Sequence, residues 1–305
     1  MAAPARTAFF GTPPAAVPAL AALAASTDVE LVVTRPDKPR GRSGKPQPSA
    51  VKEAAEAWGL PVAQPNRARE VVELLQGLDL AVVVAYGQIL PADVLAAPAH
   101  GFVNVHFSRL PRWRGAAPVA RAILAGDEAT GVDIIQLDEG MDTGPLIARR
   151  EASIDPNDTT GTLTARLAGL GAELLVETLP AIIDDTAVRT PQAESGVTIA
   201  AKLTSEEARI DPHSMTAADI DRVVRAFNPN PGAWGSVDGA RLKVWETRVR
   251  ADLTVPPGQS ELIDRLPVVG TSDGAVELVE IQAAGKSRLP AEVWARGYRG
   301  ALLWD

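Results

Sequence analysis

The chain has 305 residues and a net charge of −8, which is enough length for two domains and too acidic for broad, non-specific nucleic-acid binding. It contains no cysteine, which excludes disulfides, thiolate metal sites and a cysteine nucleophile. Because it lacks the roughly 18 consecutive apolar residues of a membrane helix and begins without a secretion-signal pattern, we expect a cytoplasmic protein with no membrane partner.

The first part of the chain alternates short apolar runs with stretches rich in Ala and Leu. The apolar runs predict strands at 5–11, 29–35, 80–87, 101–108 and 132–138. The stretches between and after them predict helices near 14–25, 49–58, 67–77, 116–125 and 160–183. This order is typical of a doubly wound, mostly parallel α/β sheet, and we assign residues 1–189 to such a Rossmann-like domain. The run at 80–87 is almost continuously apolar, so we expect it at the centre of the sheet.

A second domain is predicted after a segment without periodicity. We place a linker at 190–205 and the second domain at 206–305. Its one clear helix covers 216–227, with Thr216 as a plausible N-cap. The remainder consists of short strands broken by Gly and Pro, which predicts a small, OB-like β-barrel.

Two common phosphate-binding motifs are absent. Gly11 follows the first strand, but no second or third glycine completes a dinucleotide fingerprint. Gly44 and Lys45 precede a proline and lack the earlier glycine of a P-loop. The alternating fold therefore does not by itself indicate NAD or ATP.

The strand at 101–108 carries an unusual row of polar residues. Period-2 alternation places Asn104, His106 and Ser108 on one face, near the end of a strand where α/β sheets bind ligands. Taken alone, Asn104 and His106 could simply satisfy neighbouring backbone groups. Asp142 lies between Gly140 and Gly144 after the next strand, and taken alone it could be a turn former. Together they predict a carboxylate and imidazole pair on adjacent strand ends, suited to proton transfer near neutral pH.

Basic residues are concentrated in one segment of this acidic chain. Between positions 35 and 52 there are six basic residues and one acidic residue, Asp37. Most charge runs are merely solvated, but a position after the second strand, at the crevice side, favours binding. In the second domain, alternating cations form a second candidate patch or else face solvent: Arg241, Lys243, Arg248 and Arg250.

Several long segments resemble the folate-dependent formyltransferases. They are FFGTPPAAVPAL, TRPDKPRGRSGKPQPSAVKEAA, VVVAYGQILP, NVHFSRLPRWRGAAP, LDEGMDTGP, AKLTSEEARID and RAFNPNPGAW, and they cover almost the whole chain. The Asn-x-His with a downstream Asp identifies the superfamily. RGAAP, the basic segment and the second domain resemble the branch that acts on charged initiator tRNA.

The resemblance implies transfer of the formyl group of the co-substrate 10-formyltetrahydrofolate to the α-amino group of methionine on initiator methionyl-tRNA. It implies that Asn104, His106 and Asp142 are catalytic. It implies a folate site bordered by Ser108, Arg109, Leu110 and Pro111 and walled by Tyr86, Gly87, Gln88, Ile89 and Leu90. It implies that tRNA contacts come from Lys38, Arg40, Arg42 and Lys45, with Arg42 matching the key arginine of the family.

The chain departs from the family pattern at three positions: Phe107 replaces a common glycine, Arg109 a usual leucine, and Pro212 a usual tryptophan. Arg109 leaves the polarity of the folate pocket open. We expect no metal, because His100, His106 and His213 form no ligand cluster in the sequence, and we expect a monomer. The alternatives are a formyltransferase acting on a small amine such as a sugar nucleotide, a non-catalytic tRNA-binding protein, and a nucleotide-dependent oxidoreductase.

Overall fold

The computed structural model describes residues 3–39, 44–298, 300 and 302–305. The chain divides into two compact units. The first contains residues up to Pro118, Ala129–Ser153 and Thr164–Ala201, and the second contains Val119–Glu128, Ile154–Leu163 and the chain from Lys202 onward. Within the described residues, no helix is both long and apolar enough to span a membrane.

The secondary structure up to residue 201 alternates strands and helices. The strands are β1 (Arg6–Gly11), β2 (Asp28–Val33), β3 (Lys38–Pro39), β4 (Pro46–Gln47), β5 (Val62–Ala63), β6 (Leu80–Val84), β7 (Phe102–His106), β8 (Arg114–Gly115), β9 (Ala129–Gln136), β10 (Leu146–Ser153) and β11 (Ile199–Ala200). The helices are α1 (Val17–Ser26), α2 (Ala50–Ala57), α3 (Val72–Leu75), α4 (Ala92–Leu95), α5 (Pro118–Ala125) and α6 (Thr160–Ile183). Single 3-10 turns precede α1 at Pro14–Ala16 and α3 at Ala68–Val71.

Seven of these strands form one sheet in the order β10-β9-β7-β6-β1-β2-β5. The strands from β7 to β5 are parallel to their neighbours, whereas β9 is antiparallel to β7 and β10 is antiparallel to β9. The predicted mostly parallel α/β sheet is confirmed. All five residues of β6 are buried at the middle of the sheet, as its continuous apolar run predicts.

The two faces of β7 have different neighbours. On one face, Phe102 packs against Phe10 with ring centroids 5.2 Å apart, and Asn104 and His106 follow on that same face. On the other face, Val105 is covered by α6, where an ideal Cβ on Gly171 would lie 2.7 Å from Val105 Cγ1. The polar row therefore lies on the face away from α6.

Three features of the first unit differ from the predicted elements. The helix expected at 67–77 is a 3-10 turn followed by the single turn α3. Strand β10 was not predicted, because it is an edge strand with alternating exposed polar residues instead of an apolar run. Residues 190–201 pack within the first unit, where β11 pairs with β8, while the domain boundaries at 189 and 206 stay a prediction.

The second unit is built on an antiparallel sheet. Its further elements are α7 (Ala217–Ala226), β12 (Ala233–Val237), β13 (Ala240–Arg250), β14 (Ser260–Ile263), β15 (Leu266–Gly270), β16 (Ala275–Ala283), β17 (Leu289–Pro290) and α8 (Ala291–Gly297). The strand order is β12-β13-β16-β15-β14, with β17 on β16. As predicted, Thr216 caps α7, its hydroxyl accepting from the Asp219 N–H at 3.0 Å. Trp304 pairs with Val237 of β12 and donates its N–H to Gly258 O, just before β14. The last residues therefore bridge the two edges of the sheet, which supports the barrel expected from the sequence.

Two glycines of α6 provide a matched test of how closely the helix packs on the sheet. Gly171→Val should lower the free energy of unfolding by about 1–3 kcal/mol, because the added carbons overpack against Val105. An ideal Cβ on Gly169 meets nothing within 4 Å, so Gly169→Ala should raise that free energy by about 0.5–1 kcal/mol. Urea unfolding measures both, and equal stability of the two variants would contradict the close approach.

Candidate active site

The Asp142 carboxylate brings the predicted trio together. The Asn104 side-chain amide donates to Asp142 Oδ1 at 3.3 Å, and the Gly115 N–H donates to Oδ2 at 2.8 Å. His106 Nδ1 lies 3.6 Å from Oδ2, which is beyond a direct hydrogen bond. Asn104 is 9% exposed and His106 is 5% exposed. An amide, an imidazole and a carboxylate therefore share one nearly dry site.

A backbone carbonyl fixes the His106 ring. Its Nε2 lies 3.0 Å from Trp113 O, and a carbonyl oxygen can only accept, so Nε2 carries a proton. Trp113 takes a positive φ of 64° at this point. Nδ1 is consequently the nitrogen that faces Asp142 and can gain or lose a proton.

The loop that carries Asp142 reaches the site by an unexpected route. Gln136, at the end of β9, lies opposite Val103 near the start of β7, because these strands are antiparallel. The expectation that His106 and Asp142 follow adjacent strand ends at one edge is therefore wrong. Instead the loop turns back, with a φ of 53° at Asp142. It passes so close to β9 that an ideal Cβ on Gly144 would lie 1.8 Å from Gln136 O.

Gln192 holds this loop in place. Its side-chain amide donates to Asp142 O and to Gly144 O, each at 2.8 Å. Its oxygen accepts from Arg114 Nε at 3.0 Å. Sequence reasoning missed Gln192 because it lies in the stretch interpreted as a linker, where no periodic signal distinguishes one polar residue from another.

An ion pair with a buried carboxylate holds the predicted folate stretch at 108–111. Asp133 on β9 is fully buried and accepts from Arg149 Nε and Nη2, each at 2.7 Å. Burial raises the pKa of the Asp133 carboxyl, and the hydrogen bonds from Arg149 oppose that rise. Asp133 Oδ2 also accepts from the Leu110 N–H at 2.7 Å, and Arg149 donates to Leu110 O. Sequence reasoning missed both charged residues, although an acid inside the apolar run VDIIQ was a usable signal.

The other predicted folate residues are spread over different surroundings. The Ser108 hydroxyl donates to Arg112 O at 2.7 Å, and the Leu110–Pro111 peptide bond is cis. Arg109 extends over β9 to an ion pair with Glu151 of β10 at 2.7 Å. Its guanidinium is therefore engaged with β10 and makes no bond to the trio.

The segment 86–90 follows β6, the strand beside β7. The Tyr86 ring packs edge-on against Phe10 at a centroid distance of 5.2 Å, and Leu90 belongs to the same core. Gly87 has a φ of 80°, and Gln88 donates to Asn66 O at 3.3 Å. Ile89 is 88% exposed. The side chains of this segment therefore differ in burial, and their role in the folate pocket stays a prediction.

In the basic segment, several cations have no carboxylate partner among the described residues. Lys52 is paired with Asp37 at 2.8 Å. Among the described residues, no carboxylate pairs with Arg35, Lys38 or Lys45, whereas Arg40 and Arg42 lie outside the described residues. A cavity of about 130 Å³ opens here, lined by Thr12, Arg35, Pro36, Lys38, Gln47 and Ser49. Throughout the described part of the chain, no His, Asp and Glu side chains are grouped closely enough to hold a metal ion.

The sheet and the site together define an α/β fold that brings an amide, an imidazole and a carboxylate into one nearly dry site. Comparison with known proteins gives the family: the profile described as Formyl transferase matches residues 5–179, and that described as Formyl transferase, C-terminal domain, matches residues 202–299. The chain belongs to the formyltransferase family, in the branch of the methionyl-tRNA formyltransferases, and it is 43–46% identical at nearly full length to several of them.

Two relatives and one solved structure illustrate this membership. The methionyl-tRNA formyltransferase of Phenylobacterium zucineum is 46% identical over 303 residues, 96% of each chain. That of Streptomyces coelicolor is 45% identical over 95% of this chain and 96% of its own. The structure of the N-formyltransferase from Helicobacter canadensis, in complex with folinic acid and dTDP-3-aminofucose, has a TM-score of 0.69. It covers 92% of this chain and 99% of its own at 18% identity, and so indicates a shared fold.

The buried Tyr86 hydroxyl has no hydrogen-bond partner among the described residues, and burial raises the pKa of its phenol. We expect Tyr86→Phe to keep or increase the free energy of unfolding, by up to about 1 kcal/mol, because it removes an unsatisfied buried donor. Thr34 is the matched control, since its hydroxyl is bonded to Ser49 Oγ at 2.7 Å. Thr34→Val should cost about 1–3 kcal/mol. Urea unfolding distinguishes the two, and a loss in Tyr86→Phe as large as that in Thr34→Val would reveal a partner for the phenol.

Proposed function

We propose that this protein transfers the formyl group of 10-formyltetrahydrofolate to the α-amino group of methionine on initiator methionyl-tRNA. The observation that carries the proposal is the Asp142 carboxylate, which accepts from Asn104 and faces His106 in a chain that belongs to the methionyl-tRNA formyltransferases. The proposal requires these three residues to act on the formyl carbon, the attacking amine and the leaving nitrogen.

The proposed reaction proceeds through a tetrahedral intermediate. The amine nitrogen forms a bond to the formyl carbon while the carbonyl opens to an oxyanion. Collapse of that intermediate breaks the bond to N10 of the folate, and the proton lost by the amine is balanced by the proton gained at N10. Asn104 uses one amide hydrogen for Asp142, which leaves the second free to donate to the oxyanion.

His106 and Asp142 handle the proton in this proposal. The carbonyl of Trp113 occupies Nε2, so Nδ1 exchanges the proton. The 3.6 Å between Nδ1 and Asp142 Oδ2 is too long for a direct bond and is suited to a bridging water or the substrate amine. Asp142 stabilises the positive charge that develops on the amine as it attacks and on the imidazole when it is protonated.

We also propose that the segments 108–111 and 86–90 border the formyl donor, with Arg109 excepted. Support comes from their positions: segment 108–111 follows His106 directly, and 86–90 follows β6, which is parallel to β7 with Val83 opposite Asn104. The carboxyl ends of these two strands therefore meet at one edge of the sheet, where α/β folds bind ligands. The Arg109 guanidinium is engaged with Glu151, so we assign it no folate contact.

The basic segment is the proposed entry site for the acceptor end of the tRNA. Lys38 and Lys45 are exposed, and neither has a carboxylate partner among the described residues. Such cations are free to bind phosphate, unlike Lys52, which Asp37 neutralises. Arg40 and Arg42 belong to the same segment of sequence, and we propose that they bind tRNA as well.

A second tRNA contact is proposed on the second unit, at Arg241, Lys243 and Arg288, the indole-backed patch. Arg241 lies 4.0 Å from the ring centre of Trp234, and Arg288 lies 3.4 Å from that of Trp245. Burial lowers the pKa of Lys243, and the nearby charges of Arg241 and Arg288 lower it further.

The other two cations of the candidate patch are neutralised. Arg248 and Arg250 both bind the Glu277 carboxylate, at 3.1 and 2.9 Å, and Arg250 also binds Asp252 at 2.8 Å. Within the described residues, Arg241 and Lys243 have no carboxylate partner. We therefore propose that Arg241 and Lys243 bind tRNA, whereas Arg248 and Arg250 have a structural role.

We also propose that the protein acts as a monomer and that it is cytoplasmic. One chain carries Asn104, His106 and Asp142 within its first unit, which supports activity as a monomer. The substrates are a charged tRNA and a folate, which supports a cytoplasmic location.

Formyl transfer to charged initiator tRNA tests the proposed chemistry. Asn104→Ala should lower kcat about 10²–10³-fold by removing an oxyanion donor, and His106→Ala about 10²–10⁴-fold by removing the proton acceptor. Asp142→Asn should impair the reaction as strongly as His106→Ala. His100→Ala is the histidine control and should match the wild type. Free methionine and a 4-amino sugar nucleotide are the competing acceptors: if only the sugar nucleotide reacts, the trio stands and the tRNA substrate is wrong.

The indole-backed patch is tested by the salt dependence of tRNA binding. Arg241→Gln with Lys243→Gln should raise the Kd for initiator tRNA and reduce the slope of log K against log salt, by roughly one per lost phosphate contact. Arg248→Gln is the control on the same strand and should change neither, because Glu277 already neutralises Arg248. If Arg248→Gln changed the Kd and the salt slope as much as the double replacement does, the assignment of tRNA binding to Arg241 and Lys243 would be contradicted.

A further inference from the structure

Asp133 is placed unusually for a charged residue. It lies inside the apolar strand β9, directly opposite His106 in the antiparallel pairing with β7. Opposed residues of an antiparallel pair project from the same face, with Cβ atoms about 4.5–5.5 Å apart. A fully buried carboxylate, Asp133, is therefore the cross-strand neighbour of the His106 imidazole. The imidazole thus has two carboxylates near it, Asp133 on the strand and Asp142 on the loop.

Arg149 and Asp133 hold both sides of one residue. Asp133 Oδ2 accepts from the Leu110 N–H at 2.7 Å, and Arg149 donates to Leu110 O. That carbonyl belongs to the cis peptide bond with Pro111. Because both groups of the ion pair bind the same residue, Leu110 cannot shift without breaking a charge-assisted hydrogen bond.

The loop 107–113 that contains Leu110 carries two elements of the site. Trp113 O fixes the Nε2 of His106, and the stretch 108–111 is proposed to border the formyl donor. Other bonds also hold the loop: Ser108 Oγ donates to Arg112 O at 2.7 Å, the Trp113 N–H donates to Thr198 Oγ1 at 2.8 Å, and Arg109 forms an ion pair with Glu151 at 2.7 Å. The Glu151 side chain of that second ion pair is 60% exposed, whereas Asp133 is fully buried, so the Asp133–Arg149 pair anchors the loop to a buried charge.

Stability alone does not account for this arrangement. Burying a carboxylate costs free energy that the attraction to its cation only partly offsets. Well-packed apolar residues in place of such an ion pair commonly give the fold equal stability. The next residue of β10, Arg150, is about as exposed as Arg149, but its partners Glu173 and Glu177 of α6, at 3.1 and 2.7 Å, are exposed carboxylates. Arg149 instead reaches into the sheet toward the loop beside His106.

We propose that Asp133 and Arg149 are positioning residues, which hold the Leu110 peptide so that the loop 107–113 presents Trp113 O to His106 and its 108–111 stretch to the formyl donor. This inference rests on the proposed function for its kinetic consequences. Its structural consequence, a single tautomer of His106, is independent of the reaction.

The first test is the ¹⁵N spectrum of the protein labelled at histidine. There are three histidines, at 100, 106 and 213, and the spectrum of His106→Ala assigns the signals of interest. His213 is an internal control, because its Nε2 also lies 3.0 Å from a carbonyl, that of Trp304. At alkaline pH, wild type and Arg150→Met should show His106 with Nε2 protonated. Arg149→Met should show both His106 nitrogens at values averaged between the two tautomers, with His213 unchanged.

The second test separates positioning from stability. Arg149→Met leaves the Asp133 carboxylate buried without its cation, so it should lower Tm. Asp133→Leu with Arg149→Met removes both charges, so its Tm should recover toward the wild type. If the pair positions the loop, the double variant should still show averaged His106 nitrogens. If the double variant regains the single tautomer together with its Tm, the pair only stabilises the fold and the proposal is overturned.

Kinetics completes the test. In Arg149→Met and in the double variant, the KM for 10-formyltetrahydrofolate should rise and kcat should fall, each about tenfold or more, as expected for a displaced site. The KM for charged tRNA should stay within about twofold, and Arg150→Met should match the wild type. Wild-type donor parameters together with an unchanged His106 spectrum in Arg149→Met would refute the proposal. Calorimetric titration with 5-formyltetrahydrofolate measures donor binding without an acceptor, so a failure of the proposed tRNA substrate would be recognised separately.

Discussion

The hydrogen bonds accepted by the Asp142 carboxylate join two strands of the first unit, β7 through the Asn104 amide and β8 through the Gly115 N–H. The carboxylate can occupy that position only because its loop turns back over the sheet. A backward turn needs the left-handed φ of Asp142, a glycine at 144 against Gln136 O, and the two bonds from Gln192. The chemistry of the site thus depends on backbone geometry that is fixed outside the trio, by residues with no chemical role of their own.

Sequence patterns predicted the central elements because burial leaves a direct trace in residue type. The continuous apolar run of β6 and the period-2 alternation of β7 both report how many faces of a strand are covered. The same patterns say nothing of direction, so the antiparallel course of β9 and the route of the Asp142 loop could not be predicted. Edge strand β10 was not predicted, because its exposed positions carry polar residues and it therefore lacks an apolar run. Gln192 escaped because a residue that binds backbone carbonyls from a loop belongs to no periodic pattern.

Net charge was a poor guide to local electrostatics for a related reason. The chain carries −8 overall, yet each unit presents cations that no described carboxylate neutralises. The distribution depends on which charges meet in space: Glu277 lies opposite Arg248 in the β13–β16 ladder, and Asp37 reaches Lys52 near the start of α2. Stacking on the Trp234 indole holds Arg241 without adding negative charge, whereas Arg288, which stacks on Trp245, also lies 3.8 Å from Glu280. An acidic protein can therefore offer phosphate-binding surfaces that its composition conceals.

The two carboxylates near His106 differ in how their charges are balanced. Asp133 accepts two hydrogen bonds from the Arg149 guanidinium, so the negative charge of its carboxylate is largely neutralised. The Asp142 carboxylate accepts from neutral donors, the Asn104 amide and the Gly115 N–H, and the His106 imidazole lies 3.6 Å from it. An amine that attacks a formyl carbon gains positive charge as it does so. In the proposed reaction, Asp142 is the carboxylate available to stabilise that charge, because Asp133 is already bound to Arg149 and to the Leu110 N–H.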